Sequence, residues 1–197
     1  KQFSNADRER FCEKVTKLLP PQPAQDYSSA SHLDEIKRLI KKKDWDNAAE
    51  KAKNLLESDK GTLVEWQLIL EKLGGEKEFS RLVELSKYLE ANESRLTSWP
   101  PIFGDEYRED FECLFHNIGA ILAEEGDPEY ALHCFQVFLE RMKMSAEDDE
   151  YIPLYLVMIQ ARLGNEEEAM KYWKIAQKGN IPEGLKKKAF EILERKR

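Results

Sequence analysis

Long apolar runs, cysteine, glycine, proline and histidine are all scarce in this chain, and each scarcity excludes something. The longest apolar run, Ile152 to Ile159, is less than half of the roughly 20 residues that a membrane-spanning helix needs. Three cysteines, Cys12, Cys113 and Cys134, follow no framework spacing. An odd number fits a reducing compartment, with one disulfide left open, and cytoplasmic is the expected location. Three histidines (His32, His116 and His133) and no Gly-x-Ser-x-Gly, phosphate loop or His-Glu-x-x-His leave hydrolytic chemistry without a platform. The expectation is therefore a protein that is not an enzyme and holds no cofactor or metal. Methionine is absent before Met142, so Lys1 is not a translation start; at least an initiator Met is missing, and a targeting peptide or a preceding domain stays open.

What is present is helical material. Of 197 residues, 41% are hydrophobic and 35% charged, against nine Gly and eight Pro, which fits a soluble helical protein with a well-buried core. The net charge of -7 disfavours nucleic acid as the main partner, because phosphate binding needs a basic surface. Ser4 or Asn5 can cap a first helix with Phe11, Val15, Leu18 and Leu19 on one face. Pro20-Pro21-Gln22-Pro23 then stops it. From Ser31 hairpins follow. Leu33, Ile36, Leu39 and Ile40 make one stripe, Asp44 is placed to cap the next helix, and Thr62 to Glu65 reads as a capping box. Gly126 suits a helix end, Asp127 a cap and Pro128 a first turn. Asp148 or Asp149 is the expected cap before Ile152, and Asn165 with Glu168 the next capping box. The domains read as 1–30, an N-terminal helix and Pro-rich linker; 31–91, helical hairpins; 92–105, an aromatic and Pro-containing loop; and 106–197, further hairpins closed by a C-terminal helix.

Phe115 to Leu139 carries the strongest signal. Gly119 sits inside an apolar helix pattern, at a cost of about 1 kcal/mol relative to alanine. A close helix crossing compensates such a cost, and Ala131 on the following helix is the expected partner. Gly164 follows Gly126 by 38 residues, and the same offset relates Ala169 to Ala131 and Trp173 to Phe135. Small residues and turns recurring in this register over 112–178 resemble the tetratricopeptide repeat (TPR), a helix-turn-helix unit of about 34 residues. Residues 31–91 resemble it more weakly, through Asp44-Trp45-Asp46-Asn47-Ala48. The resemblance implies an all-α, right-handed solenoid of antiparallel hairpins with about ten helices.

It also implies a binding groove lined by the first helix of each hairpin. Carried over residue by residue, the groove takes Cys113, His116, Asn117, Ala120 and Glu124, then Tyr151, Leu154, Tyr155, Met158 and Arg162. The partner would be a peptide or helix of another protein, and the protein a scaffold or adaptor. Leu154, Tyr155 and Met158 could equally pack on a neighbouring helix. Asn117 resembles the asparagine with which chaperone-binding TPRs hold a C-terminal carboxylate. The cations that clamp also needs are replaced by Tyr151 and Tyr155, which speaks against it. Cys113, His116, His133 and Cys134 suggest no zinc site, since His133 and Cys134 point about 100° apart on a helix. The lysine-rich end from Lys174 reads as a solvated capping face. Trp99 and Phe103 either plug a gap between the halves of the array or form a second contact. In the latter case the chain would be a structural subunit of a larger assembly.

Overall fold

The computed structural model describes residues 28–58, 61, 63–96 and 106–195. The expected N-terminal helix, the linker after it, Thr62 of the expected capping box, and Trp99 and Phe103 lie outside the described residues. The chain divides into two compact units, Lys1–Glu35 and Ile36–Arg197, and the second contains nearly all that is described.

The described residues form nine α-helices and no strand. They are α1 (Ser28–Lys41), α2 (Trp45–Glu57), α3 (Leu63–Gly75), α4 (Phe79–Ala91) and α5 (Glu106–Glu125). After them come α6 (Pro128–Met142), α7 (Ile152–Leu163), α8 (Glu166–Ala176) and α9 (Glu183–Arg195). Short 3-10 turns at Glu93–Arg95 and Ala146–Asp148 follow α4 and α6. No helix among the described residues is long and apolar enough to cross a membrane.

Four helices end in one backbone motif. The amide of Lys43 donates to the Ile40 carbonyl and that of Asp44 to Leu39. The same pair of bonds recurs from Lys77 and Glu78, from Lys143 and Met144, and from Gly164 and Asn165. This is the Schellman closure, which needs a left-handed residue after the helix. Gly164 supplies it with φ 82°, but Lys43, Lys77 and Lys143 adopt φ of 57°, 61° and 54°. Lys43 and Lys77 stand 34 residues apart in equivalent turns. A search for glycine alone misses that register. A Cβ is disfavoured in this conformation, so Lys143→Gly is expected to raise stability by about 0.5–1 kcal/mol. Lys143 has no ion pair among the described residues to lose, and a urea midpoint that fails to rise would contradict the assignment.

Packing links α2 to α3, α3 to α4, α5 to α6, α6 to α7, α7 to α8 and α8 to α9, and also α3 to α5, α5 to α7, and α7 to α9. Polar side chains join α2 to α4, and α4 with the turn after it to α6. Lys53 pairs with Glu84 at 3.3 Å and Tyr88 donates to Glu57 at 2.9 Å, both between α2 and α4. His133 of α6 meets Glu90 of α4 at 3.0 Å, and Arg141 grips Glu93 through two bonds of 2.7 and 2.8 Å. One core runs from Ile36 to Ile159, and a second gathers Leu154, Val157, Met158 and Ala161 with residues of α8 and α9.

The crossing at Gly119 is close, and the side chain nearest to the glycine is Phe135. A Cβ on Gly119 would lie 3.1 Å from the Phe135 ring. Phe135 is one turn beyond Ala131, and its ring reaches back over α5 to fill the space the glycine leaves. Ala131 is itself fully buried. The expected caps fare unevenly. Asp127 accepts the amides of Glu129 and Tyr130 at 3.0 Å, with Pro128 in the first turn. Asp149, rather than Asp148, accepts the amides of Tyr151 and Ile152. Asp44 and Asn165 make no capping bond from their side chains. Their polar ends pair with Asn47 and Gln160 instead, a local alternative that competes with the helix amides.

Candidate functional site

α7 is buried nearly all round, because α5, α6, α8 and α9 all pack against it. Its half-buried positions are Tyr155, Arg162 and Leu163, continuing from Tyr151 at its N terminus. Leu154 and Met158, expected in the groove, are fully buried in the second core. They lie one turn apart on the side where α9 closes over α7, so neither offers surface to a partner. The sequence could not show this, since Ala189 and Leu193 approach from more than 30 residues away.

Tyr155 remains half-exposed and belongs to an aromatic cluster. Its ring stacks on Phe135 with centroids 5.6 Å apart and planes 16° from parallel. His116 of α5 stands edge-on to Phe135, Phe138 and Tyr155, at 5.6, 5.1 and 6.4 Å. Edge-to-face and offset-stacked geometry is what the ring quadrupoles favour. Phe135 and Phe138 form the base of this cluster, both buried, with His116 and Tyr155 partly in solvent. Burial, then the negative field of Glu124, with Tyr151 and Asp149 adding to it, pushes the Tyr155 hydroxyl above its ordinary pKa. It is therefore a neutral donor throughout the physiological range. On the same helix α5, Cys113 and Asn117 are exposed and Ala120 is half-buried.

No family model, curated protein or solved structure matches this chain. The site must be read from its own geometry.

Two expected contact residues have structural duties. The Arg162 guanidinium donates to the carbonyls of Leu122 at 2.9 Å, Ala123 at 3.0 Å and Gly126. These carbonyls close α5, whose end lacks the Schellman closure, so Arg162 caps that helix from α7. Its donors are turned inward and leave the set of groups open to a partner. Glu124 is half-buried and paired with Lys188 of α9, which ties α9 back to α5. His116, Tyr151 and Tyr155 thus remain together with Glu124 beside them, and Asn117, the residue after His116, is exposed.

Cys113, His116, His133 and Cys134 are dispersed. Cys113 is exposed and Cys134 buried, where desolvation pushes its thiol pKa up and keeps it protonated. His133 pairs with Glu90. Among the described residues no group of three His, Cys, Asp or Glu side chains is arranged to hold a metal ion.

The sequence reading overlooked one feature, a cleft of about 360 Å³ at the other end of the unit. Lys37, Lys41, Lys43 and Lys72 surround it, and Trp45 lies in its wall. The run Lys41-Lys42-Lys43 beside a tryptophan was a signal for it.

Proposed function

We propose that this protein is a non-catalytic interaction module, a solenoid of TPR-like hairpins that holds a peptide or partner helix against α5 and α7. The observation carrying the reading is the half-exposed Tyr155, stacked on buried Phe135 and flanked by His116, whose sequence neighbour Asn117 is exposed. A rigid ring with a neutral hydroxyl, preorganised on a buried base, combines apolar area with one directed hydrogen bond. Such residues dominate peptide binding energy. The contacts between alternate helices and the 34-residue spacing of Lys43 and Lys77 support the repeat architecture.

Peptides selected on the wild-type protein from a random displayed library provide the test. Tyr155→Leu keeps an apolar side chain against Phe135 but removes the ring surface and the hydroxyl. Asn117→Arg adds bulk at an exposed position. Each is expected to weaken the selected peptides by roughly tenfold or more, with unchanged far-ultraviolet circular dichroism. Peptides that bind both folded variants as tightly as wild type would move the site elsewhere.

A further inference from the structure

We infer that α9 and the adjoining edge of α8 form a surface on which two copies of this chain pair about a twofold axis. The Phe190 ring of each copy enters a cleft on the other. This surface shares no residue with the α5 and α7 face.

The starting point is a ring left in water. Phe190 is 45% exposed, and among the described residues no other aromatic side chain is as open. Single exposed apolar residues are common on any surface. Phe190 differs because it projects beside a recess with aromatic walls. Its ring lies 5.7 Å from that of Trp173 on α8, which is half-buried. The two rings, with Gln177, Glu183, Lys186 and Lys187, line a cleft of about 390 Å³. Projecting ring and recess therefore belong to one patch. An isologous dimer requires this, since each copy offers the same residues to the other.

The charges beside the ring carry the same symmetry. Lys187 and Glu191 are four residues apart on α9, hence on one helix face, with Phe190 between them. Both are exposed, and neither has a partner among the described residues. The neighbouring cations are engaged: Lys186 donates to the Gly179 carbonyl at 3.0 Å, and Lys188 pairs with Glu124. Two α9 helices laid antiparallel, with the axis level with Ala189, set Lys187 of each copy opposite Glu191 of the other. The Phe190 rings then meet beside the axis, between two new ion pairs. The alternation disfavours other occupants. An anionic lipid surface would meet Glu183 and Glu191 on the stripe that carries Phe190. A segment of one charge sign would meet one like charge for each opposite one. The surface is small and two chains of net charge -7 repel at long range. Association is therefore weak, half-complete at roughly 10–100 µM.

Sedimentation velocity of the 197-residue chain, from micromolar to millimolar concentration, tests the pairing. A monomer–dimer equilibrium is expected. Phe190→Ser, at an exposed position, should weaken it at least about tenfold with unchanged far-ultraviolet circular dichroism. Lys187→Glu and Glu191→Lys should each weaken it as well, because each sets like charges opposite one another twice. Mixed in equal amounts, these two variants should dimerise again. The double variant carrying both changes should do so alone, since opposite charges again face each other across the axis. On concentrating the wild type, the Trp173 indole resonance should shift in a nitrogen-edited NMR spectrum and that of Trp66 should not. Tyr155→Leu should leave the equilibrium unchanged, which separates this surface from the face proposed above. A monomer at every concentration, species larger than a dimer, or failure of either charge restoration would each overturn the inference. So would a monomer whose Trp173 signal moves only when phosphatidylserine vesicles are added.

Discussion

Truncating Phe135 to alanine is expected to cost about 3–5 kcal/mol, the range for emptying a fully buried aromatic site. The ring is wholly shielded from solvent and makes three distinct contacts. Tyr155 stacks on it, His116 stands edge-on to it, and the Gly119 backbone abuts it. None of these neighbours can collapse into the space without giving up another contact, so a cavity persists. Gly119→Leu attacks the same contact from the other side, by overpacking, and should cost about 1–3 kcal/mol. The decisive measurement is the double variant. Removing the ring makes room for the new leucine, so the combined loss should fall short of the sum by at least about 0.5 kcal/mol. Strictly additive losses in urea denaturation would show that helix and ring do not meet as described.

The second large effect belongs to Arg162. Its guanidinium satisfies three carbonyls at the end of α5, each a charge-assisted bond in a part-buried setting. Arg162→Ala leaves those oxygens to whatever water can reach them, and a loss of about 2–3 kcal/mol is expected. Arg162→Lys should recover only a minor part, because one ammonium cannot reproduce the planar fork. Amide exchange supplies the local readout. Protection in the last turn of α5 should fall more than protection in α2 or α3. Uniform loosening of all helices would mean that Arg162 acts through packing rather than as a cap.

How far the fold could be read from the chain depended on the range of the interaction involved. Asp127-Pro128 and Gly164 announce their turns through chemistry contained in a few residues, and those boundaries agree with the structure. Ala131 and Ala169, related by the 38-residue offset, are both fully buried. Phe135 and Trp173 share that offset but differ, since Trp173 is only half-buried and meets Phe190 of α9. Lys43 and Lys77 concealed two turns because lysine is no signal for a left-handed backbone. The fate of Leu154, Met158 and Arg162 depended on where α9 and α5 lie in space, which helical periodicity does not report. His116, Asn117, Tyr151 and Tyr155 were picked out through the TPR resemblance. The packing of His116 and Tyr155 on Phe135 was not visible in it.

α7 contributes to both cores, with Ile152, Leu156 and Ile159 in one and Leu154, Val157, Met158 and Ala161 in the other. A helix shared in this way behaves as a keystone during partial unfolding. Stripping α8 and α9 away would bare one side of α7 while its other side stayed anchored on α5 and α6. The stack of Tyr155 on Phe135 belongs to the anchored side, so it outlasts the detachment of α8 and α9. Native-state exchange should accordingly resolve two cooperative units that open at different free energies, with α7 closing together with the slower one.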